Sequence, residues 1–182
     1  AHHVAITTCT HYFPGRTGMS QTGWYFVDAL GYGQGMMGFR GNQGFYMIQL
    51  NDGKIECRFQ NSAGTLYEYA APANTTIPKV WQHFAWIYDG SAVKLYVNGN
   101  LKGSKAASGS ITDNTLTFAV GRNILADFQF YYHGRIDEVT VWNKALSQAE
   151  VQDMMLNELV GDEPNLHLYY KFNQGVPGGG TR

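Results

Sequence analysis

Aromatic and amide side chains carry most of the binding chemistry in this sequence. Trp24 and Tyr25 lie among glycines, Tyr67 and Tyr69 stand two residues apart, and Gln129, Tyr131 and His133 alternate. On extended chain, Tyr67 and Tyr69 share one face about 7 Å apart. If 127–133 is extended, Gln129, Tyr131 and His133 also share a face, with Phe128, Phe130 and Tyr132 behind them. A sugar ring offers an apolar face to an aromatic ring and hydroxyls to amides, carboxylates and guanidinium groups. These seven are therefore the candidate ligand-binding residues.

Sets that would break bonds do not assemble. Glycoside cleavage needs two carboxyl groups flanking one bond. The nearest approach is Asp137 beside Glu138, and neighbours on a strand face opposite ways. His2, His3, His11, His83, His133 and His167 form no His-Glu-x-x-His and no spacing paired with Cys. No Gly-x-Ser-x-Gly elbow is present. The chain is therefore not expected to be an enzyme. With 13 Lys and Arg against 14 Asp and Glu, the net charge of −1 gives nucleic acid nothing to bind. No apolar run reaches the ~18 residues that would insert in a membrane.

The elements that must hold these residues read as strands. Of 182 residues, 44% are hydrophobic, 14% aromatic and 22 glycine, a composition of one domain rich in strands and turns. The clearest pattern is WQHFAWIYDGSAVKLYVNG, 81–99. Phe84, Trp86 and Tyr88 alternate with His83, Ala85 and Ile87, and Val93, Leu95 and Val97 with Lys94, Tyr96 and Asn98. Two strands, each with one packed face, follow from period two. Asp89-Gly90 and Asn98-Gly99 suit the positive φ of hairpin turns. Residues 45–50 and 54–60 flank Asn51-Asp52-Gly53 as a second hairpin, and 4–13, 65–70, 115–121, 134–142 and 165–172 also read as strands. Residues 15–44 suggest short strands with long loops, 103–114 a polar stretch, and 122–128 a loop. One helix is expected over about 147–160: Ser147 and Glu150 make a capping box, Val151, Met154, Met155 and Leu159 an apolar stripe, and Gly161 an end. About ten strands and one helix make an all-β, antiparallel, two-sheet jelly-roll sandwich.

Cys9 and Cys57 are either a disulfide, closing a loop that would stabilise by roughly 4 kcal/mol, or two buried thiols. Cys57 shares a face with Ile55 and Phe59, so burial follows either way. The chain starts at Ala1 and ends beyond Gly178-Gly179-Gly180. It reads as a processed chain or a module of something longer, with a domain over 1–175 and a Gly-rich tail or linker start over 176–182.

Three blocks point to a family: WQHFAWIYDGSAVKLYVNG, then LTFAVGRN, then GRIDEVTVWNKALSQAEV. With the closing LYYKFNQG, they resemble the laminin G-like jelly-roll domains of the concanavalin A-like group, as found in large secreted bacterial proteins. The resemblance covers about 45–172. The apolar-Phe-Asp-Gly strand that opens such modules is not found; either it is trimmed or residues 1–13 replace it. VAITTCTHYF is faintly similar to an early strand of the neighbouring pentraxins. Their calcium pair needs Glu-Gln-Asp where this chain has Arg122-Asn123-Ile124-Leu125, so that pair is not expected. The Glu-x-Asp-x-x-Glu of laminarinase-type hydrolases is also missing. The resemblance implies a rim calcium held by hard oxygen ligands, for which Asp28, Asn123 and Asp127 are the candidates. It further implies a non-catalytic carbohydrate-binding module, extracellular or on a cell surface, with a glycan as partner. The alternatives are a module gripping a cell-surface protein, or a structural spacer.

Overall fold

The computed structural model describes residues 4–6, 17–39, 45–111, 118–124 and 129–173. Its strands in chain order are β1 (Val4–Ile6), β2 (Met19–Val27), β3 (Gln34–Phe39), β4 (Phe45–Gln49), β5 (Ile55–Gln60), β6 (Leu66–Ala70), β7 (Trp81–Tyr88), β8 (Ala92–Val97), β9 (Asn100–Ala106), β10 (Phe118–Val120), β11 (Arg122–Ile124), β12 (Gln129–Tyr131), β13 (Gly134–Trp142) and β14 (Leu166–Tyr170), with helix α1 (Gln148–Met154) between the last two. One sheet has the order β1-β10-β3-β4-β5-β6, the other β14-β13-β2-β7-β8-β9, and β11 and β12 form a small ribbon. Every strand pairing is antiparallel. This is the jelly-roll sandwich expected.

The layers pack because each strand sends alternate side chains inward. Phe45, Met47, Cys57 and Phe59 from the first sheet meet Tyr25, Phe84, Trp86 and Tyr88 from the second. Phe59 and Tyr88 approach to 4.4 Å between ring centroids, and Phe45 and Trp86 to 5.7 Å. Such buried rings contribute area first and edge or tilt geometry second. Cys57 is a free, fully buried thiol; Cys9 lies outside the described residues.

The segment 15–44 differs from expectation. It supplies β2, nine residues long and central to the second sheet, paired with β7 on one side and β13 on the other. Its polar inner and outer residues hid it: Ser20, Gln21 and Thr22 are all buried, where an alternating strand should show polar groups outside. Thr22 and Thr140 solve this by bonding each other, Oγ1 to Oγ1 at 2.7 Å. The start of the expected polar stretch 103–114 likewise falls in a strand, β9, which the turn Asn98-Gly99 brings back beside β8. Asn98 and Gly99 have φ of 49° and 70°, the two positive values of a two-residue primed turn. Part of the expected loop 122–128 is strand β11, and 125–128 lie outside the described residues.

The capping box forms: Ser147 Oγ accepts from the Glu150 N–H, and the Glu150 carboxylate accepts from the Ser147 N–H. The helix is shorter than expected, ending at Met154 with Met155 as its cap. Beyond it the chain continues as a turn, in which the Leu156 and Asn157 N–H groups donate to the Asp153 carbonyl at 3.0 and 2.9 Å. Val151 and Met154 do pack, and so does Leu159 from beyond the helix. They cover Ala85, Ile87, Tyr96 and Trp142 on the outer face of the second sheet. Strand β7 is therefore dry on both sides along Ala85–Tyr88, not on one side as its alternation suggested.

Candidate functional site: the uncovered end of the second sheet

The seven candidate ligand residues do not form one surface. Tyr25 and Trp24 are neighbours on β2 and face opposite ways. Tyr25 is 2% exposed and packs edge-on against Phe84 and Tyr132 at 5.9 and 5.7 Å; it is core. Burial pushes its hydroxyl pKa well up. Tyr67 and Tyr69 do share a face, but it is the inner one. Tyr67 stacks on Phe59 at 5.8 Å, and Tyr69 Oη donates to the Lys102 carbonyl at 3.1 Å, closing the open edge between β6 and β9. A Cβ on Gly103 would meet that Tyr69 hydroxyl at 2.0 Å. These two tyrosines are a seam rather than a sugar platform.

Tyr131 and His133 lie at the rim where β12 leads into β13. His133 is exposed and its ring meets the half-exposed Tyr32 edge-on at 4.9 Å. Buried Gln34 fixes the rim: its Oε1 accepts from the His133 N–H at 2.7 Å, and its Nε2 donates to the Ala29 carbonyl at 2.9 Å. Asp28 is exposed there, its N–H donating to the His133 carbonyl at 2.9 Å. The side chains of Asn123 and Gln129, and all of Asp127, lie outside the described residues. Among the described residues no three His, Cys, Asp or Glu side chains gather as a metal set.

Trp24 belongs to a different place. It lies on the outer face of the second sheet, at the end α1 leaves bare. Two rows of side chains cross the strands there, set by register. Arg135, Phe26 and Trp81 make the outer row on β13, β2 and β7. The Arg135 guanidinium lies 4.6 Å from the Phe26 ring centroid, and Trp81 lies 5.7 Å from Phe26 on the other side. Trp81 is 39% exposed. The next row in is Asp137, Trp24 and His83. Trp24 and His83 meet edge-on at 5.4 Å. His83 is almost fully buried, and burial lowers its pKa to about 4, so the ring is neutral near pH 7.

Asp137 and Glu138 correct the sequence reading. A register shift between Asp137 and Thr140, with Glu138 at φ 49°, makes a β-bulge. A bulge breaks the alternation that would send neighbours to opposite faces. Register places Asp137 beside Trp24, and Glu138 lines the same hollow as Trp24. Burial raises the pKa of both carboxyls above the usual range, with the nearby Glu158 adding to each. The Tyr169 hydroxyl donates to Glu138 and opposes that rise. The hollow has a volume of about 260 Å³; Trp24 and Glu138 line it with Met154–Glu158 and Asn173. At the rim end, Gly134 allows the close pass of β13 over β2: a Cβ there would lie 1.9 Å from the Phe26 carbonyl oxygen.

The family model of the concanavalin A-like lectin/glucanases superfamily, in its laminin G-like form, matches residues 1–152. The chain belongs to this laminin G-like family. The match includes the N-terminal third, which the motif reading left out. Among solved structures, the laminin G-like domain resembles a candidate carbohydrate-binding protein from Bacteroides ovatus, at TM-score 0.75 and 20% identity over 94% of this chain. It spans 49% of that protein's length. It also resembles domain 4 of an extracellular arabinanase from Geobacillus stearothermophilus, solved with arabinotriose, at TM-score 0.61 and 24% identity, covering 77% of this chain and 67% of that one. A pentraxin from Limulus polyphemus has TM-score 0.60 and 17% identity, covering 84% and 74%. At these identities the likeness is one of fold. No curated protein matches the domain.

Phe26, Trp81, Arg135, Asp137 and Glu138 are the site residues that the sequence reading did not select. One signal was present for Phe26: it stands two residues after Trp24, so the pair shares a face if the chain is extended. The bulge that redirects Glu138 had none.

Proposed function

We propose that the domain is a non-catalytic carbohydrate-binding module and that it holds its glycan on the uncovered end of the second sheet. One observation carries this reading. Trp24, Phe26 and Trp81 present ring surface across adjacent strands, bordered by Arg135, Asp137 and Glu138 with hydrogen-bonding groups. Aromatic surface with a few fixed polar groups is the common make-up of small-ligand sites. The carbohydrate-binding proteins among the structural relatives support the class of ligand, and the extracellular arabinanase supports an extracellular or cell-surface location. Fold likeness alone does not assign a function. The test is calorimetry of the intact chain against neutral and charged oligosaccharides, repeated with Trp24→Ala and Trp81→Ala. Binding that both substitutions weaken supports the reading; no binding to any sugar removes it.

Asp137 and Glu138 act as acceptors in this reading, not as acid and base. Release of reducing ends from a bound polysaccharide would overturn the non-catalytic part. Calcium at Asp28, Asn123 and Asp127 is a separate proposal: sugar binding abolished by a chelator supports it, and unchanged affinity removes it.

A protein partner is the second reading. It is favoured by the segment after α1, where Leu156 and Val160 are 84% and 81% exposed. Beside it is a cavity of about 630 Å³ whose lining includes Trp142, Leu146, Leu159 and Pro164. Retained sugar binding in a Val160→Ser variant, at a position outside the hollow over Trp24, would separate this surface from the glycan site.

A further inference from the structure

The hollow over Trp24 is closed on one side, and the closure is built. The segment after α1 crosses the sheet above the Trp24 row and is tied at both ends. On one side, Gln148 and Gln152 donate from Nε2 to the Gly99 carbonyl at 2.9 and 3.1 Å, pinning the helix to the β8–β9 turn. On the other, Glu158 pairs with Lys171 at 2.9 Å and accepts from Asn173 Nδ2 at 3.4 Å. Between these ties, Met154–Glu158 form a wall against the hollow. The wall does not extend to the outer row, where Trp81 and Arg135 remain exposed. A ligand lying along β2 therefore has open sheet at the Phe26 end and a stop at the Trp24 end. The two rings are two residues apart on one face, so their stacking positions are spaced by about 7 Å.

We infer that this site, taken as the glycan site proposed above, recognises the end of a sugar chain and takes an uncharged terminal unit over Trp24. A groove with one stopped end admits a chain end and refuses the middle of a chain. The second condition comes from charge. Asp137, Glu138 and Glu158 stand around the Trp24 position, and among the described residues the cation that answers them there is Lys171, already paired with Glu158. A carboxylate on the terminal sugar would be brought out of water towards three like charges, which disfavours it. Hydroxyls, by contrast, donate well to carboxylate oxygens. Arg135 belongs to the next row, so the penultimate unit is the one that meets a cation.

The test uses the intact chain and neutral trisaccharides as probes: arabinotriose, xylotriose, cellotriose, maltotriose and laminaritriose. Whichever binds is compared with two end-modified forms, one oxidised to a carboxylate at its non-reducing terminal unit, the other oxidised to the aldonic acid at its reducing end. One of the two forms is expected to bind tenfold weaker or worse. Glu158→Gln, which removes a negative charge and also the tie to Lys171, should recover at least threefold of that loss, whereas Lys171→Met, which breaks the same tie and leaves all three carboxylates, should recover none of it. Affinity should level off at two or three units, with one module per polymer chain end. Equal binding of both end-modified forms, or many modules bound along one polymer chain, overturns the inference. If sugar binding then still depends on Trp24, the function proposed above survives; if no sugar binds at all, both fail together.

Discussion

The outer face of the second sheet has two halves with opposite fates. In the half beneath α1, Ala85, Ile87, Tyr96 and Trp142 are covered by Leu146, Val151 and neighbouring residues and form a small second core. In the other half, Phe26, Trp81 and Arg135 have the same strands beneath them and no helix above. The strands do not differ between the halves; the cover does. Trp142 is 4% exposed with its indole N–H donating to Thr140 Oγ1 at 2.8 Å, while Trp81 is 39% exposed. An aromatic residue on a sheet face thus becomes core or contact surface according to what the chain lays over it.

The sharpest way to break this comparison is to truncate one tryptophan in each half. Trp142→Ala should destabilise the domain by about 3–5 kcal/mol, the usual cost of emptying a large buried site, read by urea unfolding. A change under about 1 kcal/mol would mean that the covered half is not a core.

His83 lies at the boundary between the halves, and its burial couples pH to stability. The ring is neutral when folded, with pKa about 4 against 6.5 for the free side chain. The unfolded chain binds the extra proton between those values, so stability is full above pH 6.5 and falls as pH drops towards 4. The loss attributable to this group is roughly 3 kcal/mol. Denaturant midpoints from pH 7 to 4, measured alongside His83→Leu, test it; a variant with the same pH slope as the native chain would show that His83 is not the source.

On the bare half, Trp24→Ala should weaken binding of a sugar ligand tenfold or more, which is about 1.4 kcal/mol, while costing less stability than Trp142→Ala. Calorimetry and urea unfolding on the same variant separate the two effects. Ser147→Ala should cost about 1 kcal/mol by removing the helix cap. Because α1 carries the wall over Trp24, a thermal shift without any change in sugar affinity would show that the wall does not need the helix end. Trp81→Ala is expected to move stability least, by about 0.5 kcal/mol, and to act chiefly on binding.

Much of the sandwich could be read from the chain because its signals are local. Alternation over 81–97, the Asn98-Gly99 turn, the hairpin at 45–60 and the Ser147–Glu150 box each depend on residues a few positions apart, and each is present. Strand β2 could not be read, since its buried Ser20, Gln21 and Thr22 find hydrogen-bond partners on other elements, Ser20 Oγ donating to the Lys144 carbonyl, Gln21 Nε2 to the Phe45 carbonyl and Thr22 Oγ1 bonding Thr140 Oγ1. Of the candidate site, Trp24 was legible and its companions were not. Tyr25, Tyr67 and Tyr69 look like ligand aromatics by type, yet they turn inward.

The sequence by itself determined the strand periods, the turns, the helix start and the family, because dihedral preference and side-chain alternation act over a few residues. Tertiary structure alone decided which face of each strand is covered. It also decided that a bulge turns Glu138 towards Trp24, and that the chain beyond α1 walls one end of the hollow. These outcomes depend on register and on contacts between residues distant in the chain, from Ala85 beside Val151 to Trp24 beside Glu158, and no local preference encodes them.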